Sequence, residues 1–292
     1  MDRRQKLGGI PIVKTLALSL AAALCVTSMA RADSPRPFLF LKTGEKFATQ
    51  EIAGPTVAGF TAYVGEKVAG TTNAFEPRVM NDPVKAAEYC SKSKVVLGIV
   101  TPGFYLTYAK ALGMDPLLET KRVGVKEERF VLVGPKDMPS DLARLNGKTI
   151  ATPLAGEQWY VISVVLQSKL GEEIRLKPTM DVEGAVFDLA EGGKNAADAV
   201  LLETGAWDLF KDDPDSGGKL KVLCQSDELP RDLVVVFGPA SGTLNIDKVK
   251  QLLKDMSGSE AGQKVLRSIQ VESFTDINRA GLSAAEKLFH GK

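Results

Sequence analysis

Two periods of apolar residues alternate along the chain. Continuous apolar runs, such as FLFL at 38–41, KVVLGIV at 94–100 and LVVVF at Leu233–Phe237, read as strands covered on both faces. Between them the apolar positions recur every three or four residues. Residues 50–68 place Val57, Phe60, Val64 and Val68 on one face of a helix. Asp82 followed by Pro83 opens a second helix, reaching about Cys90, with Asp as its cap and Pro in its first turn. Further strands are expected at 75–80, 129–133, 149–152, 197–202 and 220–224. Further helices are expected at 104–112, at 158–170 with Gly171 as the stop, and at 182–190, 246–256, 259–268 and 283–289. Shorter helical turns fall at Ser140-Asp141-Leu142 and at 206–210. Strand and helix alternate throughout, which predicts an α/β fold with largely parallel sheets.

The first residues carry a different pattern. Arg3, Arg4 and Lys6 precede an apolar run at 15–26 (TLALSLAAALCV), and Ala30-Arg31-Ala32 offers a small-residue cleavage site. This predicts a signal peptide over residues 1–32, cleaved near Ala32, and export to a bacterial periplasm; a buried N-terminal helix is the alternative. Removing its five basic and one acidic residues from totals of 37 and 36 leaves 32 Lys and Arg against 35 Asp and Glu. That near-neutral balance argues against a nucleic-acid partner. Cys25 leaves with the signal. Cys90 and Cys224 could pair in an oxidising compartment, but each adjoins a strand in a different half, which favours two separate thiols.

Several chemistries are excluded by count. The single histidine, His290, lies two residues from the end, so histidine triads and histidine-rich metal sites are ruled out. Gly147-Lys148-Thr149 looks like the tail of a phosphate loop, but Leu142 stands where the leading glycine is needed. Asp213, Asp215 and Gly217 suggest a calcium loop, but Cys224 stands at the closing Glu position. No pair of carboxylates stands out for hydrolysis. The expected protein is not an enzyme and needs no cofactor and no metal.

Four stretches, in order, resemble a known family. They are KVVLGIVTPGFYLTYAKALGMDPLLE, DLARLNGKTIATP, GGKNAADAVLLETGAW and LKVLCQSDELPRDLVVV. Together they are similar to the phosphonate-type periplasmic substrate-binding proteins of ABC transporters. The resemblance implies a type-two periplasmic binding fold: two α/β lobes, mostly parallel sheets, two hinge crossings near 121–129 and 226–232, and closure on a small-molecule ligand. It divides the exported chain into lobe I (33–125), lobe II (126–230) and a return to lobe I with C-terminal helices (231–292). It also implies an inner-membrane ABC permease as partner and a monomeric binding protein.

Ligands of open α/β sheets sit beyond the carboxyl ends of strands. Four loops occupy that place, and they supply the candidate ligand residues: Thr43 and Gly44; Thr101, Pro102, Phe104 and Tyr105; Thr152, Ala155, Gly156, Trp159 and Tyr160; and Glu203, Thr204 and Trp207. The phosphonate binders carry a Ser/Thr-rich turn after the third of these strands. Here the turn reads Pro153-Leu154-Ala155-Gly156-Glu157, Thr152 is the one hydroxyl before Tyr160, and Glu157 at the helix mouth would repel an anion. Both tryptophans adjoin candidate loops. A phosphorus oxyanion held by backbone amides of Ala155 and Gly156 is the nominal ligand. A larger, partly apolar or lipid-like ligand against the aromatic rings is the alternative, as is a ligand-presenting accessory of a membrane sensor.

Overall fold

The computed structural model describes residues 34–139, 141–170, 173–193, 196–238 and 244–291. The expected signal peptide, Ser140 and Gly171 lie outside them. From Pro35 onward the chain forms one compact unit built on two sheets.

Lobe I is a six-stranded sheet. Its strands are β1 (Arg36–Leu41), β2 (Phe75–Met80), β3 (Leu97–Val100), β4 (Met114–Arg122), β10 (Leu233–Phe237) and β11 (Val271–Thr275), in the order β11-β4-β10-β3-β1-β2. The run FLFL shows why β1 lies near the middle. Phe38 and Phe40 enter one apolar cluster, Leu39 and Leu41 the other, so both faces are covered. On the first face lie helices α1 (Gln50–Ala69), α7 (Ile246–Asp255) and α8 (Glu260–Ser268). Phe60 of α1 stands edge-on to Phe38 at 5.8 Å and to Phe40 at 5.6 Å. On the second face lie α2 (Pro83–Lys92) and α3 (Pro102–Leu112). Asp82 caps α2 as expected, accepting from the Val84 and Lys85 amides at 3.0 and 3.1 Å.

Lobe II is a five-stranded sheet. It holds β5 (Phe130–Pro135), β6 (Thr149–Thr152), β7 (Arg175–Pro178), β8 (Ala199–Glu203) and β9 (Leu220–Gln225), in the order β7-β6-β8-β5-β9. Helices α5 (Val182–Glu191) and α6 (Thr204–Phe210) cover one face over a small separate core. The segment after β6 is not one helix to residue 170. A 3-10 turn (Pro153–Glu157) leads into α4 (Gln158–Tyr160), which widens to a π turn (Val161–Val165). Gln167 and Ser168 then take φ of 50° and 53°, ending the helix early.

The two-lobe fold is the expected one, but the sheets are mixed rather than mostly parallel. Four pairings are parallel and five antiparallel among the described residues. The reason lies in the connections. Strands β4 and β10 carry the chain out of lobe I and back without a crossover helix, so β10 enters antiparallel between β3 and β4. The crossings run from Arg122 to Phe130 and from Gln225 to Leu233. They are bonded to each other: the Leu229 amide donates to Glu128 O at 2.8 Å, and Arg231 Nη2 donates to Lys126 O at 3.0 Å.

A last helix, α9 (Arg279–His290), follows β11 and packs on the π turn of the lobe II segment. Leu282, Ala285 and Phe289 enter the apolar cluster that also holds Val161, Val164 and Val165. That cluster continues from Leu39 in lobe I to Leu201 in lobe II. Cys90 and Cys224 are both free thiols.

Candidate functional site

The site forms where carboxyl ends of strands from both lobes face each other. After β1 the chain turns at Thr43 and Gly44, where Gly44 takes φ of 73°. A Cβ on Gly44 would fall 2.0 Å from the carbonyl oxygen of Pro153, so lobe I touches lobe II backbone here. Gly156 meets Pro83, at the start of α2, less tightly: a Cβ there would lie 3.0 Å from the Pro83 ring. Gly103, in the first turn of α3, faces the Glu157 carboxyl and the Tyr160 ring.

The centre of this seam is Glu157. It is buried, and Thr43 Oγ1 donates to its Oε1 at 2.6 Å. Thr101 Oγ1 donates to the same oxygen. Thr101 is the N-cap of α3, yet its hydroxyl makes no bond to its own helix. The carboxyl therefore sits at the start of an eleven-residue helix, where a negative charge is favoured. Oε2 is buried and has no hydrogen-bond partner among the described residues. Burial pushes the Glu157 carboxyl up to about 7, against the pull of the hydroxyls of Thr101 and Thr43 and with a push from Asp232. Burial likewise drives the Tyr160 phenol well above its usual range, and Glu157 adds to it.

Beside Glu157 opens a cleft between the lobes with an empty volume of about 560 Å³, part of it open to solvent. Its remaining charges come largely from the hinge. Lys42, at the end of β1, is paired with Asp232. Arg122, where β4 leaves lobe I, grips Glu128 with two nitrogens, its Nε donating at 3.0 Å. The same guanidinium reaches Glu203 of β8 at 3.0 Å. Burial works against the Arg122 cation, but bonds to Glu128 and Glu203 outweigh it and hold the group above its usual pKa. Glu45, Phe130, Leu154, Leu229 and Pro230 complete the wall.

Arg122→Met is expected to destabilise the protein by about 3 kcal/mol, because it leaves Glu128 largely buried without its cation. Lys121→Met, which loses an exposed pair with Glu272, should cost less than about 1 kcal/mol. Urea unfolding of the two variants checks the contrast, and equal losses would show that burial of the Arg122 pair is not what matters.

Of the candidate residues, Thr43, Thr101, Pro102, Tyr160 and Glu203 line the cleft. Gly44 and Gly156 lie on the seam between the lobes. Ala155 is half-buried in the 3-10 turn and lines no part of the cleft. Thr152 is fully buried, and its hydroxyl accepts from the Leu154 amide at 3.3 Å. Phe104 and Tyr105 are core residues of the second lobe I face, with Phe104 5.0 Å from the Tyr108 ring. Thr204 Oγ1 donates to Arg129 O at 3.2 Å. Neither tryptophan faces the cleft. Trp207 is buried in the core of lobe II, and Trp159 Nε1 donates to Phe289 O of α9 at 2.9 Å. Lys42, Arg122, Glu128, Glu157 and Asp232 were not among the candidates. Arg122, Glu128 and Asp232 lie within the expected hinge crossings, which line the cleft, and that position is the signal in the sequence that points to them.

Comparison with known proteins bears on the fold and the family. A search of curated proteins finds no match. Among solved structures, XAC2383 from Xanthomonas citri bound to ATP superposes with a TM-score of 0.66 at 14% identity, covering 88% of this chain and 98% of that one. A binding protein component of an ABC phosphonate transporter, PA3383 from Pseudomonas aeruginosa, gives 0.61 at 15% identity, with coverage of 88% and 86%. PhnD1 from Prochlorococcus marinus, in complex with methylphosphonate, gives 0.57 at 12% identity, with coverage of 87% and 97%. At such identities these neighbours show the fold. The family follows from the sequence model for the phosphonate periplasmic substrate-binding protein of ABC transporters, which matches residues 50–282, so the chain belongs to that family of periplasmic solute-binding proteins.

Proposed function

We propose that this chain captures a small phosphorus oxyanion between its lobes and delivers it to an inner-membrane ABC permease. In this reading the signal is removed near Ala32 and the mature protein works as a monomer. Residues 33–125 with 231–292 close against residues 126–230. The ligand meets Thr43, Thr101, Tyr160 and the charged groups of the hinge.

One observation carries the choice of ligand chemistry. The hydroxyls of Thr43 and Thr101 converge on an oxyanion-shaped group, the Glu157 carboxyl, at the start of α3. Donors arranged for one set of acceptor oxygens suit another. The rival of a bulky apolar ligand loses its support, since neither Trp159 nor Trp207 lines the cleft.

The test is thermal melting at about pH 6 against phosphate, phosphite and methylphosphonate, on protein refolded free of co-purified ligand. At a hundred times its dissociation constant a ligand adds about 2.7 kcal/mol, several degrees for a chain of this size. A rise with one of these oxyanions is expected. A flat panel would overturn the oxyanion reading.

A further inference from the structure

We infer that Glu157 is an internal occupant of the lobe I oxyanion seat, which a ligand oxyanion enters only when that carboxylate is neutralised. The inference rests on the oxyanion reading above and adds to it a residue that sets affinity and selectivity.

Three observations lead there. Both hydroxyls that could receive a ligand oxygen from lobe I, those of Thr43 and Thr101, are spent on one oxygen of Glu157. The other oxygen, Oε2, is buried without a partner and lies against Gly103 in the first turn of α3. Glu157 itself belongs to lobe II, so the seat on one lobe is filled by a side chain of the other. An ionised carboxylate and a ligand oxyanion cannot share these donors, because two like charges within a few ångströms of each other in a poorly solvated site repel strongly.

The surrounding charges set the direction of the pH dependence. Asp232 faces Glu157 from the start of β10 and is itself paired with Lys42 from the end of β1. Glu45 lies on the β1 loop, Tyr160 on α4, and Asp82 and Lys85 at the start of α2. Arg122, Glu128 and Glu203 form a closed cluster at the hinge end. Among them Glu157 is the carboxyl whose titration burial moves up to about 7. Below that pH Glu157 is the neutral acid and does not repel a ligand oxyanion. Above it the carboxylate does, and binding must take up a proton at Glu157, so oxyanion affinity falls as pH rises, by up to about tenfold per unit for one proton.

The experiment is calorimetric titration of methylphosphonate into wild type, Glu157→Gln and Glu157→Ser at about pH 5.5 and pH 8. Gln keeps the side-chain volume and removes the charge. Ser empties the seat and adds a hydroxyl. Comparing proteins at one pH cancels the ligand's own protonation. Glu157→Gln is expected to bind about tenfold tighter than wild type at pH 8 and within about threefold at pH 5.5, as loss of one competing charge requires. Ser should also exceed wild type at pH 8. Circular dichroism melts confirm that each variant folds. Binding by wild type with weaker binding by both variants at pH 8 would overturn the inference and make Glu157 a ligand contact. A variant-to-wild-type ratio that does not change with pH would also overturn it, while leaving the oxyanion reading intact. No binding by any of the three would bring down both.

Discussion

Gly103→Ala is expected to weaken ligand capture roughly a hundredfold while leaving the fold as stable as wild type. Gly103 lies in the first turn of α3, where alanine is the better helix former by up to about 1 kcal/mol. Within lobe I the change therefore costs nothing. The new Cβ would stand 2.1 Å from Glu157 Oε2, 2.7 Å from Glu157 Cδ and 2.9 Å from Tyr160 Cγ. All three atoms belong to lobe II, so separating the lobes removes the clash. The penalty falls on the closed state alone. Apparent affinity scales with the closed-competent fraction. A clash of about 3 kcal/mol would thus weaken binding roughly a hundredfold.

Gly44→Ala should act at the same seam and more severely. Its Cβ would meet the Pro153 carbonyl oxygen at 2.0 Å, and the φ of 73° would itself be strained. Gly59→Ala on the exposed side of α1 has no neighbour within 4 Å and serves as control. Titration of ligand, with small-angle scattering for ligand-induced compaction, reads the result. Wild-type affinity in Gly103→Ala would show that the bound protein does not close along this line.

These glycines also show what could be read from the chain. Gly44 and the neighbours of Gly103, Pro102 and Phe104, are expected in ligand loops because they follow apolar runs, and a run covered on both faces announces its own strand. That is why β1, β3 and β10 were legible. The missed strands, β4 (MDPLLETKR), β7 (RLKP) and β11 (VESFT), are charged and interrupted by proline or serine. They are strands because a neighbour pairs with them: β7 and β11 are edges, and β4 joins β10 with a shift in register. Composition carries no trace of a pairing partner far along the chain.

The aromatic reading of the cleft failed for a geometric reason. Glu157 ends the 3-10 turn and lines the cleft, but by Trp159 the chain has entered α4, and its ring leaves on another side. Trp159 is therefore turned toward α9. Glu203 stands at the cleft where β8 ends, and four residues on, Trp207 lies on the inner side of α6 and packs into the sheet. Nearness in sequence to a ligand loop does not choose a face. The charges that do line the cleft come from the crossings, which a pattern of apolar periods passes over as loops.

Ligand-free wild type is expected to lose stability between about pH 4.5 and pH 7, and Glu157→Gln is not. In the unfolded chain the Glu157 carboxyl titrates at its ordinary value of 4.5, whereas in the closed structure burial raises it to about 7. Between those values the folded protein holds the extra proton, so stability declines as pH rises. The contribution is complete below about 4.5 and gone above about 7. Its size is about 3 kcal/mol, from a shift of about 2.5 units at 1.36 kcal/mol each. Asp198 works with the opposite sign, its carboxyl held below the ordinary range, so its contribution is lost only at lower pH. The two are separable along the pH axis.

The loss has two routes. Both hydroxyls bonded to Glu157 come from lobe I, so opening the cleft rehydrates the carboxylate without unfolding either lobe. If opening costs less than about 3 kcal/mol, the ionised protein opens rather than paying the full penalty in the closed form. Urea unfolding across this pH range would then show a smaller loss, and scattering would show an expanded ligand-free protein above pH 7. In Glu157→Gln both measurements should stay flat. Identical pH profiles for wild type and variant would mean that the Glu157 carboxyl is solvated in the free protein, and that the closed seam forms only around a ligand.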